Sequence, residues 1–153
     1  MIVLGIDPGI GRVGWGVVEQ NGNTSVYKTC GCIETPKNLP SHERIRIISA
    51  ALRTIIQQET PKRAVVEKLF FAKNKKTALM VSESRGAIML TLSEAHISIE
   101  EYTPLEVKIG ITGNGRAEKR QVAWVVKNVL RIKDTITSDD ALDALALCLM
   151  ARR

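Results

Sequence analysis

Four acids occupy positions where a carboxylate has chemistry to do. An apolar run, "IVLGI" (2–6), leads straight into Asp7, and "RAVV" (63–66) leads into Glu67. The segment "SDDALDALALCL" (138–149) carries Asp140 and Asp143 three residues apart, on one face of a helix and within its first turns. A carboxylate at the inner end of a buried strand is costly unless it is paired or ligates a metal. Strand-end acids on neighbouring parallel strands converge at the carboxyl edge of an open sheet, where sites form. Each acid alone has a plain structural reading: Asp7 as a turn cap, Glu67 as an edge ion-pair partner, Asp139 and Asp140 as helix-start acids.

Taken together they imply more. At about 4 Å and an effective dielectric of about 20, each pair of converging carboxylates costs on the order of 4 kcal/mol. Such a cluster persists only when some members are protonated or divalent cations lie among them. A donor set of oxygen alone points to magnesium or manganese. Two such ions roughly 3.5–4 Å apart are the usual means of in-line attack by water on a phosphodiester.

The elements that must position these acids can be read from pattern. Residues 2–6 read as a buried central strand, and 12–19 and 24–34 as two strands joined by "QNGN", with Asn21-Gly22 as a type I′ hairpin signal. A helix opens at Pro40-Ser41, carries Ile45, Ile48, Leu52, Ile55 and Ile56 inward, and stops at Thr60-Pro61. Residues 63–67 form another strand, "KLFFAKNKK" a basic aromatic loop, and 77–95 a helix apolar over much of its circumference. A short strand (97–102) precedes "TPLE" (103–106), a capping box with proline at the first helical position. The glycine-rich basic loop 112–121 enters a helix with Val122, Val125, Val126 and Val129 on one side, and the last helix starts at Ser138 and runs to the end. The order β-β-β-α-β-α-β-α-α implies an α/β fold, a mixed sheet with helices on its faces, in one domain spanning 1–153.

The bulk numbers set the setting. The 153 residues are 44% apolar and 25% charged, ordinary for a globular chain, with no run long and apolar enough for a membrane span. The opening residues lack a basic leader and a small-residue cleavage site, so a cytoplasmic location is expected. Three cysteines, an odd number, fit a reducing compartment, and Cys30, Cys32, His42 and His96 lack the spacing of a zinc site. Twenty-two Lys and Arg against 16 acids leave a net charge of +6, which suits a polyanionic partner.

The motifs "GIDPG…GWGVV", "CGCIET", "VVEKLFFAKN", "GAIML", "YTPLEVKIGITGNGRAEKRQV" and "DDALDALALCL" occur in order from residue 2 to about 150. In this they resemble the RuvC family of bacterial Holliday junction resolvases. The resemblance implies a ribonuclease-H-like (retroviral-integrase superfamily) five-stranded mixed sheet with helices on both faces. It also implies a homodimer and metal-dependent nicking of two like strands at a four-way DNA junction. Carried over by position, the catalytic carboxylates are Asp7, Glu67, Asp140 and Asp143, holding two Mg²⁺, with Mn²⁺ able to substitute. The doublet Asp139-Asp140 leaves the third ligand open by one position, and the D-x-x-D spacing favours Asp140.

The resemblance gives Phe70 the role of an aromatic that stacks beside the crossover, with Phe71 the more core-like of the two. Lys108 and Lys119 match lysines that neutralise the scissile phosphate. Lys73, Lys75, Lys76, Arg116 and Arg120 are phosphate contacts or a solvated basic surface, and Asn74 is a candidate polar phosphate contact on the same loop as the first three. The helix 77–95 is the candidate dimer interface or else a central buried helix, and a RuvA–RuvB branch-migration complex is the expected partner. Three other readings share parts of the pattern: a nuclease cutting RNA–DNA hybrids, half of a sugar-kinase or actin-like ATPase, and a non-catalytic junction binder.

Overall fold

The structure, a computed structural model, describes residues 1–69, 75–133 and 135–152, with the backbone alone for 75–77. Strand β1 (Ile2–Asp7) is the centre of a five-stranded sheet because every residue from Val3 to Ile6 is buried. It pairs antiparallel with β2 (Arg12–Asn21) and parallel with β4 (Arg63–Glu67). β3 (Thr24–Glu34) extends the sheet beyond β2, and β5 (Ser98–Tyr102) lies parallel to β4, giving the order β3-β2-β1-β4-β5.

The hairpin between β2 and β3 forms, but not with the expected turn. Asn21 is the last residue of β2 and pairs with Thr24, so Gly22 and Asn23 are the loop. Only Gly22 of the two has positive φ, at 57°, which is the sign pattern of a II′ turn rather than I′.

Helices cover both faces. On one side lie α1 (Ser41–Glu59) and α2 (Lys75–Glu94), whose Ile48, Leu52, Ile55, Ile88 and Leu92 pack on Leu4, Ile6, Ala64 and Val66. On the other lie α3 (Pro104–Thr112), α4 (Lys119–Val129) and α5 (Asp139–Met150), packed on Val3, Val18 and Val65. Three helices therefore follow β5, one more than the pattern order allowed.

Local chemistry sets the ends. Thr60 closes α1 in the left-handed region, and Thr103 with Glu106 forms the expected capping box of α3. A second capping box, Glu118 with Gln121, starts α4. Val122 and Val126 are buried, but Val129 is 50% exposed, so the valine stripe of α4 does not all face inward. Helix α5 ends at Met150 rather than at the chain terminus. Among the described residues no helix is long and apolar enough to cross a membrane.

Candidate active site

Side-chain alternation carries both strand-end acids to the same side of the sheet. Val3 and Val65 face α3–α5 whereas Leu4, Ile6, Ala64 and Val66 face α1 and α2, so Asp7 and Glu67 also face α5. The parallel register sets Ile6 opposite Val66, which makes the two acids neighbours at the same edge.

Helix α5 comes down onto them because the strands beneath it present glycine. A Cβ on Gly5 would collide with the Ala144 carbonyl, and one on Gly14 with the Asp140 carbonyl. Gly14 is also the cross-strand partner of Asp7, so this bare surface brings the start of α5 against the acid end of β1. Ser138 caps the helix by accepting from the Ala141 N–H.

Asp7, Glu67 and Asp143 line one cavity of about 410 Å³, with Lys108 from α3 and Lys119 from α4. Val107, Val122 and Ala146 form its apolar wall. Lys119 Nζ donates to Asp143 Oδ2 at 2.8 Å. Asp140 lies beside this cavity rather than in its lining, with its Oδ2 2.8 Å from Arg12 Nε and 4.0 Å from Cys32 Sγ. Asp139 is exposed at the first position of α5.

Burial pushes the Asp7 carboxyl up to about 8, and the charges of Glu67, Asp143 and Asp140 push it the same way, against the pull of Lys119. Glu67 rises to about 7, again through burial first and then Asp143, with Lys119 opposing. Lys119 is itself raised, chiefly by its hydrogen bond to Asp143. Lys108 and Lys119 together do not cancel the three carboxylates that line the cavity.

A hard divalent cation fits this donor set, which is all oxygen, partly buried and costly to ionise without a counter-charge. Among the described residues no three His, Cys, Asp or Glu side chains stand as a ready-made metal cluster, and the two helix acids are each engaged by a protein cation instead. Closing around an ion thus requires rotation of these side chains.

Of the residues expected to meet DNA, Lys108 and Lys119 line the cavity, while Arg116 and Arg120 are exposed beyond it. Arg120 Nε is 2.6 Å from Glu118 Oε2. Phe70, Phe71, Lys73 and Asn74 lie outside the described residues. Pattern reasoning passed over Arg12. Its signal was its place at the start of β2, because an antiparallel hairpin returns residue 12 to the same end as Asp7.

A mixed sheet ordered β3-β2-β1-β4-β5, with acids at the ends of its two central parallel strands and a final acid-led helix across them, defines a ribonuclease-H-like nuclease. Comparison with known proteins narrows the class. Residues 3–151 match the family described as Crossover junction endodeoxyribonuclease RuvC. The RuvC of Petrotoga mobilis is 46% identical over 146 residues, covering 95% of this chain and 90% of that protein. The RuvC of Thermotoga maritima is 43% identical, covering 95% and 86%. The structure of Thermus thermophilus RuvC in complex with a Holliday junction substrate superposes with a TM-score of 0.91 at 32% identity, covering 97% of this chain and 91% of that one. The yeast mitochondrial Holliday junction resolvase Ydc2, at 13% identity and a TM-score of 0.70, shares the fold.

The chain belongs to the RuvC family of crossover junction endodeoxyribonucleases. It is a nuclease of that family, whose members depend on divalent metal.

Proposed function

We propose that the chain, acting as a single nuclease domain, resolves four-way DNA junctions by nicking two like strands, with Asp7, Glu67, Asp140 and Asp143 holding two Mg²⁺ and accepting Mn²⁺ in their place. The observation that carries this reading is the convergence of Asp7, Glu67 and Asp143 on one cavity that also presents Lys108 and Lys119. When bound, such a metal pair supplies activation of the attacking water and stabilisation of the leaving 3′-oxygen.

The protein's own residues do the rest. Burial and mutual repulsion raise the Asp7 and Glu67 carboxyls, so a divalent cation that enters takes the place of their protons and supplies the counter-charge the cavity lacks. Lys108 and Lys119 face the cavity from α3 and α4 and meet the phosphate as negative charge builds on it. Phe70, Lys73, Asn74, Arg116 and Arg120 are proposed to extend the DNA contact on either side.

Matched cuts need two sites related by a two-fold axis, which a C₂ homodimer supplies. Its proposed interface is the outer face of α2, where Leu79 and Leu90 are 65% and 60% exposed while Ile88 and Leu92 on the opposite face are buried. Work on junctions within the cell implies a cytoplasmic setting and hand-over from a RuvA–RuvB complex.

The test is nick mapping on a synthetic four-way junction with Mg²⁺, beside an RNA–DNA hybrid of the same sequence. Symmetric nicks in two like junction strands, absent in Asp7→Asn, are expected. Preference for the hybrid, or junction binding without nicking by the wild-type chain, would overturn the reading.

A further inference from the structure

The guanidinium on Asp140 stands where a ligand carboxylate would be drawn away from the other three acids. Arg12 Nε is 2.8 Å from Asp140 Oδ2, and its Nη2 donates to Ser138 Oγ, the cap of α5, at 3.4 Å. Asp140 is missing from the lining of the cavity that holds Asp7, Glu67 and Asp143, although its charge is close enough to be felt at Asp7. Its backbone cannot follow a ligand, since the Asp140 carbonyl is seated on Gly14. What remains free is rotation of the side chain between staggered positions.

Arg12 differs from Lys119, the other cation holding an acid of α5. Lys119 lines the cavity, so it stays among the acids whichever way Asp143 points. Arg12 lies outside it and has a second acid to hand. Its cross-strand partner is Glu34, whose Oε1 is 3.9 Å from Arg12 Nε. When Asp140 turns inward, Arg12 therefore exchanges one carboxylate for another and is not left unpaired.

We propose that Arg12 is a positioning residue that holds Asp140 out of the cavity and competes with a divalent cation for it, Glu34 receiving the guanidinium when the cation wins. This rests on the reading that the four acids hold divalent metal, and it goes further in making metal affinity depend on two residues that are not ligands. A doubly charged ion shared by several carboxylates outcompetes one guanidinium that is half exposed, so Arg12 tunes the threshold of loading without blocking it.

The experiment is Mn²⁺ binding to the purified full chain at low ionic strength without DNA, followed by electron paramagnetic resonance of the free ion. Arg12→Gln is expected to tighten Mn²⁺ binding about two- to fivefold, the range an exposed ion pair is worth. Arg12→Lys keeps the competing charge and is expected to restore wild-type affinity. Glu34→Gln removes the alternative partner, strengthens the hold on Asp140, and is expected to weaken Mn²⁺ binding by a similar factor. Both side chains are more than half exposed, so the variants keep the fold, which circular dichroism checks. Equal or weaker binding by Arg12→Gln would overturn the proposal, because an arginine that merely supports the ligand would produce that sign. Absence of Mn²⁺ binding by the wild-type chain would instead overturn the metal-site reading, and Arg12's role with it.

Discussion

Lys119 Nζ and Asp143 Oδ2 are 2.8 Å apart across the gap between the start of α4 and the start of α5. This contact joins the two helices where both overlook the strand-end acids. Among the described residues, Lys119 is the cation whose charge lowers both Asp7 and Glu67. It is therefore a counter-charge for the acids and, under the proposed function, stands with Lys108 where a phosphate would be met.

Lys119→Ala is expected to lower single-turnover nicking of a junction by roughly 10²-fold or more, the scale seen when one donor to developing charge is removed. Junction affinity in EDTA is expected to fall far less, since one phosphate contact among many is lost. The salt dependence of binding should weaken by about one contact's worth. A variant that loses binding and nicking in equal measure would show Lys119 to be a general DNA contact only.

The pH dependence of stability follows from Asp7 and Glu67. Their carboxyls titrate near 8 and 7 in the folded chain, against 3.8 and 4.5 ordinarily. Between those limits the folded state binds more protons than the unfolded state, so stability falls as pH rises. In EDTA the melting temperature is expected to decline from pH 5 to pH 8, and Asp7→Asn, lacking this group, to decline less. Added Mg²⁺ should raise the wild-type value at pH 8 and do much less for Asp7→Asn. Nicking by that variant should be abolished while junction binding persists. If wild-type and Asp7→Asn show the same pH profile in EDTA, the buried-acid account fails.

Periodicity and turn chemistry were enough to place the five strands of the described residues, both ends of α1 and the starts of α3 and α5, because those signals are local. The strand-end position of Asp7 and Glu67 was local too, and alternation from Val3 and Val65 suffices to face both toward one side. The engagement of Asp140 by Arg12 is not local. It needs the hairpin register and the seating of α5 on Gly14 at once, and neither is written in either segment alone. The II′ turn was missed for a smaller reason. "QNGN" offers glycine to two loop registers, and the β2–β3 pairing, with its irregularity between Val17 and Val18, decides between them.

The glycines of β1 and β2 are predicted to be as important to the site as its acids. Gly5→Ala would set a methyl group against the Ala144 carbonyl and near the Cys148 sulfur, 2.8 Å away. Overpacking of this kind costs about 1–3 kcal/mol. At roughly 2–4 °C per kcal/mol for a chain of this size, a melting temperature several degrees lower is expected. Because the displaced element is α5, Mg²⁺-dependent stabilisation should also shrink. A Gly5→Ala chain with wild-type melting and metal response would show that α5 can shift without consequence.

The dimer prediction turns on α2. Leu79 and Leu90 are eleven positions apart, about three helical turns, and so share one face. Gly86 lies between them on that face, while Ser84, Ile88, Thr91 and Leu92 point the other way and are buried. A helix buried on both sides within one chain would not leave these leucines bare, whereas two copies packed across a two-fold axis would cover them. Leu90→Glu sets two carboxylates against each other across such an axis, and with Leu79→Glu added, four. Sedimentation is expected to show a dimer for the wild-type chain and a monomer for the double variant. Circular dichroism should be unchanged, since the exposed face carries none of the core. The monomer should still bind Mn²⁺, because all four acids belong to one chain, yet fail to cut both like strands in a single encounter. A double variant that sediments as the wild type does would place the interface elsewhere.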